Sequence, residues 1–269
     1  MKKINHLKEI FSNYENFIID LWGVVHNGIK AYPGALKVIE ELHNNNKNYT
    51  FLSNAPRPVK DVRDFLINKI KIDNKYLKNI FTSGEAAILS IKELKYGKFF
   101  FHLGPDRDAT IFNGLEEYKT NLNKCEYILC TGLYDDFMED LKYYENLLSK
   151  HTAKIMICTN PDLIVDRGTT QEFCAGTIAK IFENIGGKTI YFGKPHKSIY
   201  ELIQKKKGNT LIIGDNLRTD IMGANVINQD SLFILNGVHK KEIRDDENVQ
   251  ELLNKYKVKT NFFQNELNW

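Results

Sequence analysis

"FIIDLWGVVHNG", residues 17–28, decides the fold: a short apolar run ends in Asp20, and the chain then turns at a glycine. A continuous apolar strand of this kind is buried on both faces, as in a parallel sheet. A carboxylate at its tip can act as a nucleophile. Two residues on, where an acid would be useful, stands Trp22.

Outward from this stretch, strands and helices alternate. "AYPGALKVIEELHNNN" (31–46) reads as a helix, because Pro33 suits a first turn, apolar residues recur three and four apart, and an asparagine run closes it. "NYTFLSN" (48–54) is a second buried strand, "RPVKDVRDFLINKI" (57–70) a helix, "NIFTS" (79–83) a short strand and "GEAAILSIKEL" (84–94) a helix. From about residue 97 the pattern restarts. "GKFFFHLG", "EYILCTG" and "AKIMICTN" read as strands, with "DDFMEDLKYYENLLSKH" helical among them. The chain then returns to strand, helix, strand, helix and strand through "LIIGDNLRTD" (211–220). The fold class expected is α/β: a doubly wound, Rossmann-like parallel sheet with an inserted α/β cap domain. The core is residues 1–82 and 190–269, and the insertion is 83–189. The last 21 residues, "VQELLNKYKVKTNFFQNELNW", read as a helical start and a tail packed on the core.

The 269 residues are 42% hydrophobic, ample for a buried core, and 37 basic against 34 acidic residues give a formal charge of +3. Such balance demands neither nucleic acid nor an anionic membrane as partner, and "KKK" (205–207) reads as a solvated helix end. The four cysteines form no C-x-x-C pair, and no apolar run reaches the roughly 18 residues of a membrane span. Buried free thiols and a cytoplasmic location are expected.

In a doubly wound sheet, ligands collect beyond the carboxyl ends of the strands. Four polar clusters fall there: Asp20, Ser53 with Asn54, Lys194 after "TIYFG", and Asp215 with Asp220. Each alone suits a turn or a helix cap. Together they suit phosphoryl transfer. Aspartates from different strands need a cation, and hard oxygen ligands favour Mg²⁺ over zinc. A serine hydroxyl, backbone N–H groups and a lysine supply positive potential for phosphoryl oxygens. No G-x-G-x-x-G follows the first strand, which sets aside a dinucleotide-binding oxidoreductase.

"DLWGVVHNG", "YPGA", "FLSNA", "TNPD", "GKPH" and "GDNLRTD", in this order, resemble the haloacid dehalogenase superfamily, and within it subfamily IIA, the 4-nitrophenyl phosphatase and pyridoxal phosphate phosphatase-like enzymes. The resemblance implies that Asp20 is the nucleophile, forming an aspartyl-phosphate. It implies Mg²⁺ held by Asp20, the backbone carbonyl of Trp22 and Asp215, with Asp220 in support. Ser53, the Asn54 backbone and Lys194 are then expected to bind the phosphoryl group. A homodimer formed through the cap is a further implication of the resemblance.

The family usually carries a second aspartate where this chain has Trp22. A positioned acid or base contributes about 10²- to 10⁴-fold. Three explanations stay open: His26 in the same loop replaces the acid, the substrate supplies its own proton or leaves readily, or the chain binds a phosphorylated ligand without turnover. The favoured expectation is a leaving-group-sensitive phosphatase acting on a small phosphorylated metabolite. For the cap, "TNPDLIVDRGTTQEFCAGT" (159–177) reads as a strand end, a polar loop and a helix starting near Glu172. Asp162, Arg167 in that loop and Arg57 on the core side are the candidates to contact the rest of the substrate, because a guanidinium fork pairs well with a carboxylate or phosphate.

Overall fold

The computed structural model describes residues 1–168, 170–203, 207–245 and 248–269. Lys205 and Lys206 of the lysine run lie outside the described residues.

The first strands are β1 (Lys2–Lys3), β2 (Asn16–Ile19), β3 (Asn48–Ser53) and β4 (Ile80–Thr82), with helices α1 (Pro33–Asn44) and α2 (Val59–Asn68) between them. After α3 (Ser83–Lys92) come β5 (Phe100–Leu103), β6 (Tyr127–Cys130), α4 (Leu141–Leu148) and β7 (Ile155–Cys158). A hairpin of β8 (Ile164–Arg167) and β9 (Thr170–Phe173) leads into α5 (Ala175–Asn184) and β10 (Lys188–Tyr191). The chain ends through α6 (Lys197–Leu202), β11 (Thr210–Gly214), a π-helical turn Leu217–Ile221, α7 (Met222–Val226), β12 (Asp230–Ile234), α8 (Asn248–Tyr256) and β13 (Phe262–Gln264).

Seven strands make the main sheet, in the order β1-β13-β12-β11-β2-β3-β4, every pairing parallel. Its two faces follow the period-2 alternation of strand side chains. Phe17, Ile19, Phe51 and Ile213 pack against Val38, Ile39 and Leu42 of α1, while Leu52 and Ile212 pack on the other face with Ile199 and Tyr200 of α6. Both faces are covered, which is why the strands read as unbroken apolar runs.

A second parallel sheet, β10-β7-β6-β5, is covered by α5 on one face and by Ala87, Ile88 and Ile91 of α3 on the other. β10 pairs with β7 through Lys188 to Tyr191, so the chain leaves this sheet after Tyr191, two residues beyond the boundary read from the sequence. The boundary expected between residues 189 and 190 falls inside β10. Other local expectations also change. β8 and β9 pair antiparallel, and α5 starts at Ala175, not near Glu172. The tail contributes β13, paired to both β12 and β1, and Trp269 meets Phe11 edge-on at 5.0 Å.

The register positions the site. Ile19 lies opposite both Ile213 and Phe51. Parallel strands in this alignment end level, so the residues following β2, β3 and β11 open onto one crevice.

Candidate active site

Asp20 follows β2 directly, and its backbone N–H donates to the Ile213 carbonyl at 2.9 Å, carrying the sheet ladder one residue further. Asp215 and Asp220 come from the end of β11 and the π-helical turn. Carboxylate oxygens of the three lie within 4.8 Å of one another, and all three residues are buried.

Lys194 arrives by a different route from that expected. It follows β10 of the second sheet, not a strand of the main one. The Asn54 side chain fixes it there, accepting from the Lys194 backbone N–H at 2.8 Å and donating to its carbonyl at 3.2 Å. The Lys194 ammonium, buried, then contacts Asp20 Oδ1 and donates to Asp220 Oδ1 at 2.7 Å. Ser53, the last residue of β3, accepts from the Ala55 N–H at 3.2 Å and lines the same cavity.

Charge in this floor is out of balance. With all three carboxylates ionised, the one ammonium would leave two negative charges uncompensated among these residues. Burial pushes the Asp20 carboxyl up to about 8, against the pull of Lys194 and with the Asp220 charge adding to the rise. Burial, then the charges of Asp20 and Asp220, hold Asp215 well above the carboxylate range. Burial opposes the Lys194 charge, yet Asp20, Asp220 and Asp162 keep it well above its ordinary value. A divalent cation would cancel this excess, and a donor set of carboxylate oxygens alone suits Mg²⁺. Space has been left around Asp215 as well. A Cβ on Gly23, which has φ of +88°, would lie 2.1 Å from Asp215 Oδ2, and one on Gly237 would lie 2.0 Å from it.

Above the floor is a cavity of about 470 Å³. Trp22 stands on its wall. The indole Nε1–H donates to the Asp166 carbonyl of β8 at 2.5 Å, and the Arg167 guanidinium lies 5.3 Å from the ring centre. Two further contacts join the same parts: Lys240 pairs with Asp166 at 2.9 Å, and the Gly168 N–H donates to the Asn27 carbonyl at 3.2 Å.

His26, the candidate replacement acid, lines the same cavity. The ring is buried edge-on between Trp22 and Phe65, and its Nδ1 accepts from the Gly28 N–H at 3.0 Å. Burial drops its pKa to about 3, which disfavours the imidazolium form that an acid role needs. Of the candidates to contact the rest of the substrate, Asp162 is partly buried and accepts from Asn216 Nδ2 at 3.1 Å, with burial raising its pKa against the pull of the Lys194 charge. Arg167 is the last residue of β8, not a loop residue, and pairs with Glu172 at 2.9 Å. Arg57 pairs with the buried Asp108 at 2.6 Å, linking the two sheets' parts of the chain. Both arginines line the cavity, each already matched by an acid. Asp108, Asn216, Gly237 and Lys240 also line it and were not singled out from sequence. "NGVHK" directly after β12 is the one available signal, a glycine-containing strand end beside a known one.

A profile of the haloacid dehalogenase-like hydrolases matches residues 17–116, and an HAD-hydrolase-like profile matches residues 191–256. The chain belongs to the haloacid dehalogenase-like hydrolases. Among curated relatives of this family, the 5'-nucleotidase YutF of Bacillus subtilis is 26% identical over 87% of this chain and 92% of its own length. The acid sugar phosphatase of Staphylococcus saprophyticus is 24% identical over 86% and 90%. A haloacid dehalogenase-like hydrolase from Brucella suis superposes with a TM-score of 0.85 at 27% identity, covering 98% of this chain and 99% of that one. These relatives are of the subfamily IIA type that the motifs resemble, and the chain is a hydrolase.

Proposed function

We propose that this hydrolase is a Mg²⁺-dependent phosphatase that takes a phosphoryl group from a small phosphorylated metabolite onto Asp20 and releases it to water. The observation carrying this reading is the buried cluster of Asp20, Asp215, Asp220 and Lys194 at the floor of the cavity. The names of the relatives, a 5'-nucleotidase and a sugar phosphatase, support small phosphate monoesters as the substrate class.

In the proposed reaction an Asp20 carboxylate oxygen attacks phosphorus, the bond to the leaving oxygen breaks, and water later hydrolyses the acyl phosphate. Asp20, Asp215, Asp220 and the Trp22 carbonyl would hold Mg²⁺, which supplies charge neutralisation for the phosphoryl oxygens when bound. Lys194 and the Ser53 hydroxyl bind the remaining phosphoryl oxygens. Asn54 acts through Lys194, setting its backbone. The second sheet and its hairpin act as a cap that limits substrate size and excludes water.

Neither Trp22 nor His26 is suited to supply a proton to the leaving oxygen. The Trp22 N–H is spent on Asp166, and His26 is buried and neutral. A leaving group that departs as a stable anion is therefore favoured. Hydrolysis of an aryl phosphate should exceed that of an alkyl phosphate by more than in a relative with the second aspartate. Equal rates would show that a proton donor exists after all. Absence of turnover for both, with phosphate still bound, would leave the alternative of a ligand-binding protein.

No described helix is long and apolar enough to cross a membrane. The four buried, unpaired cysteines support a reducing cytoplasmic setting. A homodimer is an inference from the resemblance alone, which sedimentation would test.

A further inference from the structure

After β12 the chain runs back across the tip of β11 and meets the aspartate loop at three consecutive residues. Gly237 leaves room for the Asp215 carboxylate, and the Val238 N–H donates to Asp215 Oδ2 at 2.7 Å. His239, 1% exposed, then accepts the Leu217 N–H on its Nε2 at 3.2 Å.

Leu217 opens the π-helical turn, where the first N–H groups have no partner within the helix. Its neighbours are satisfied locally: Asn216 Oδ1 accepts from the Arg218 N–H at 3.0 Å, and Asp220 Oδ2 accepts from the Asn216 N–H at 3.1 Å. The Leu217 N–H is instead capped from outside by the imidazole. To accept there, the ring must carry its hydrogen on Nδ1, which donates to Glu242 Oε1 at 2.7 Å. Glu242 in turn accepts from the Tyr256 hydroxyl at 2.8 Å, and Tyr256 accepts from Arg218 at 2.9 Å, returning the network to the same turn. The Leu217 peptide stands two residues after Asp215 and three before Asp220, so its orientation governs both.

We propose that His239 is a positioning residue: held by Glu242, it fixes the peptide between Asp215 and Asp220 and so sets both carboxylates for the cation without touching either. This rests on the reading of those aspartates as Mg²⁺ ligands. Partners that orient ligands from further out commonly change metal affinity about 10- to 100-fold when removed.

The test is Mg²⁺ titration by calorimetry of the full chain, alongside melting in EDTA as the control for folding. His239→Leu removes the acceptor at similar bulk and should weaken Mg²⁺ binding about tenfold, whereas His239→Gln, whose amide oxygen can reach the Leu217 N–H, should stay within about threefold of the wild type. Glu242→Gln, which loosens the histidine and leaves it in place, should weaken binding by an intermediate factor and carries the test should His239→Leu not fold. Mg²⁺ affinity unchanged in these variants, or weakened equally in His239→Gln and His239→Leu, overturns the proposal alone. A wild-type chain that binds no Mg²⁺ overturns the reading of the site with it.

Discussion

The floor of the cavity and its hairpin wall are built on opposite plans. On the floor, Asp20, Asp215, Asp220 and Lys194 are buried and joined to one another and to the backbone by short contacts. On the wall, Trp22, Asp166 and Arg167 are partly or largely exposed and held by one indole hydrogen bond, one ring contact and surface ion pairs. A preorganised electrostatic cluster is costly to disturb, whereas a wall of exposed pairs can open and close cheaply. The floor suits chemistry common to phosphate esters, and the wall suits admission and choice of substrate.

Changes on the floor should therefore cost most. Asp215→Asn, which removes one carboxylate from the proposed cation site at near-constant shape, should lower kcat/KM for an aryl phosphate by about 10²- to 10³-fold, measured at saturating Mg²⁺. Lys194→Ala should lower it comparably and also destabilise the metal-free fold by about 3 to 5 kcal/mol, because two buried carboxylates lose their partner. Urea denaturation in EDTA reads the second effect. A loss under twofold in either variant would remove the distinction between floor and wall.

The cation should matter more as pH rises. Asp20 titrates near 8 in the metal-free fold against an ordinary value of 3.8, so the folded state binds more protons than the unfolded chain between those limits. Stability contributed by this group therefore falls with rising pH across that window. Mg²⁺ favours the ionised carboxylate and should restore it. The rise in melting temperature on adding Mg²⁺ should be larger at pH 8 than at pH 5; a shift independent of pH would contradict the charge imbalance.

Wall variants should have smaller effects. Trp22→Phe keeps a ring but loses the N–H to Asp166, a bond worth about 0.5 to 1.5 kcal/mol, so kcat/KM should change less than tenfold. Amide hydrogen exchange in residues 164–173 should accelerate at the same time. Arg167→Ala should have the least effect, under about threefold for a substrate with no second anionic group, because Glu172 already neutralises the guanidinium.

The same contrast explains what could be read in the sequence. Asp20, Ser53, Asp215 and the two-sided apolar strands were legible because a parallel sheet places the ends of successive strands together, and position along each strand then locates the residue. Lys194 was legible as a member of the site, but its strand was not. β10 is the short, partly polar "KTIY", and its pairing with β7 assigns it to the second sheet. The hairpin was hidden because "LIVDRGTTQEF" is half polar and its strands pair only with each other. His26 follows Asp20 in the same loop; its burial between two rings is something that sequence spacing does not report. The contact of Trp22 with Asp166 joins residues 144 apart in the chain, beyond any local pattern.

Whether Asp20 itself carries the phosphoryl group is decided by acid-quenching the wild-type chain during turnover of an aryl phosphate with Mg²⁺ and mapping the modified peptide by mass spectrometry. The expected result is phosphate on Asp20 in the wild type, with none and no turnover above background in Asp20→Asn. Sustained hydrolysis by Asp20→Asn, or phosphate trapped on a different side chain, would contradict the account.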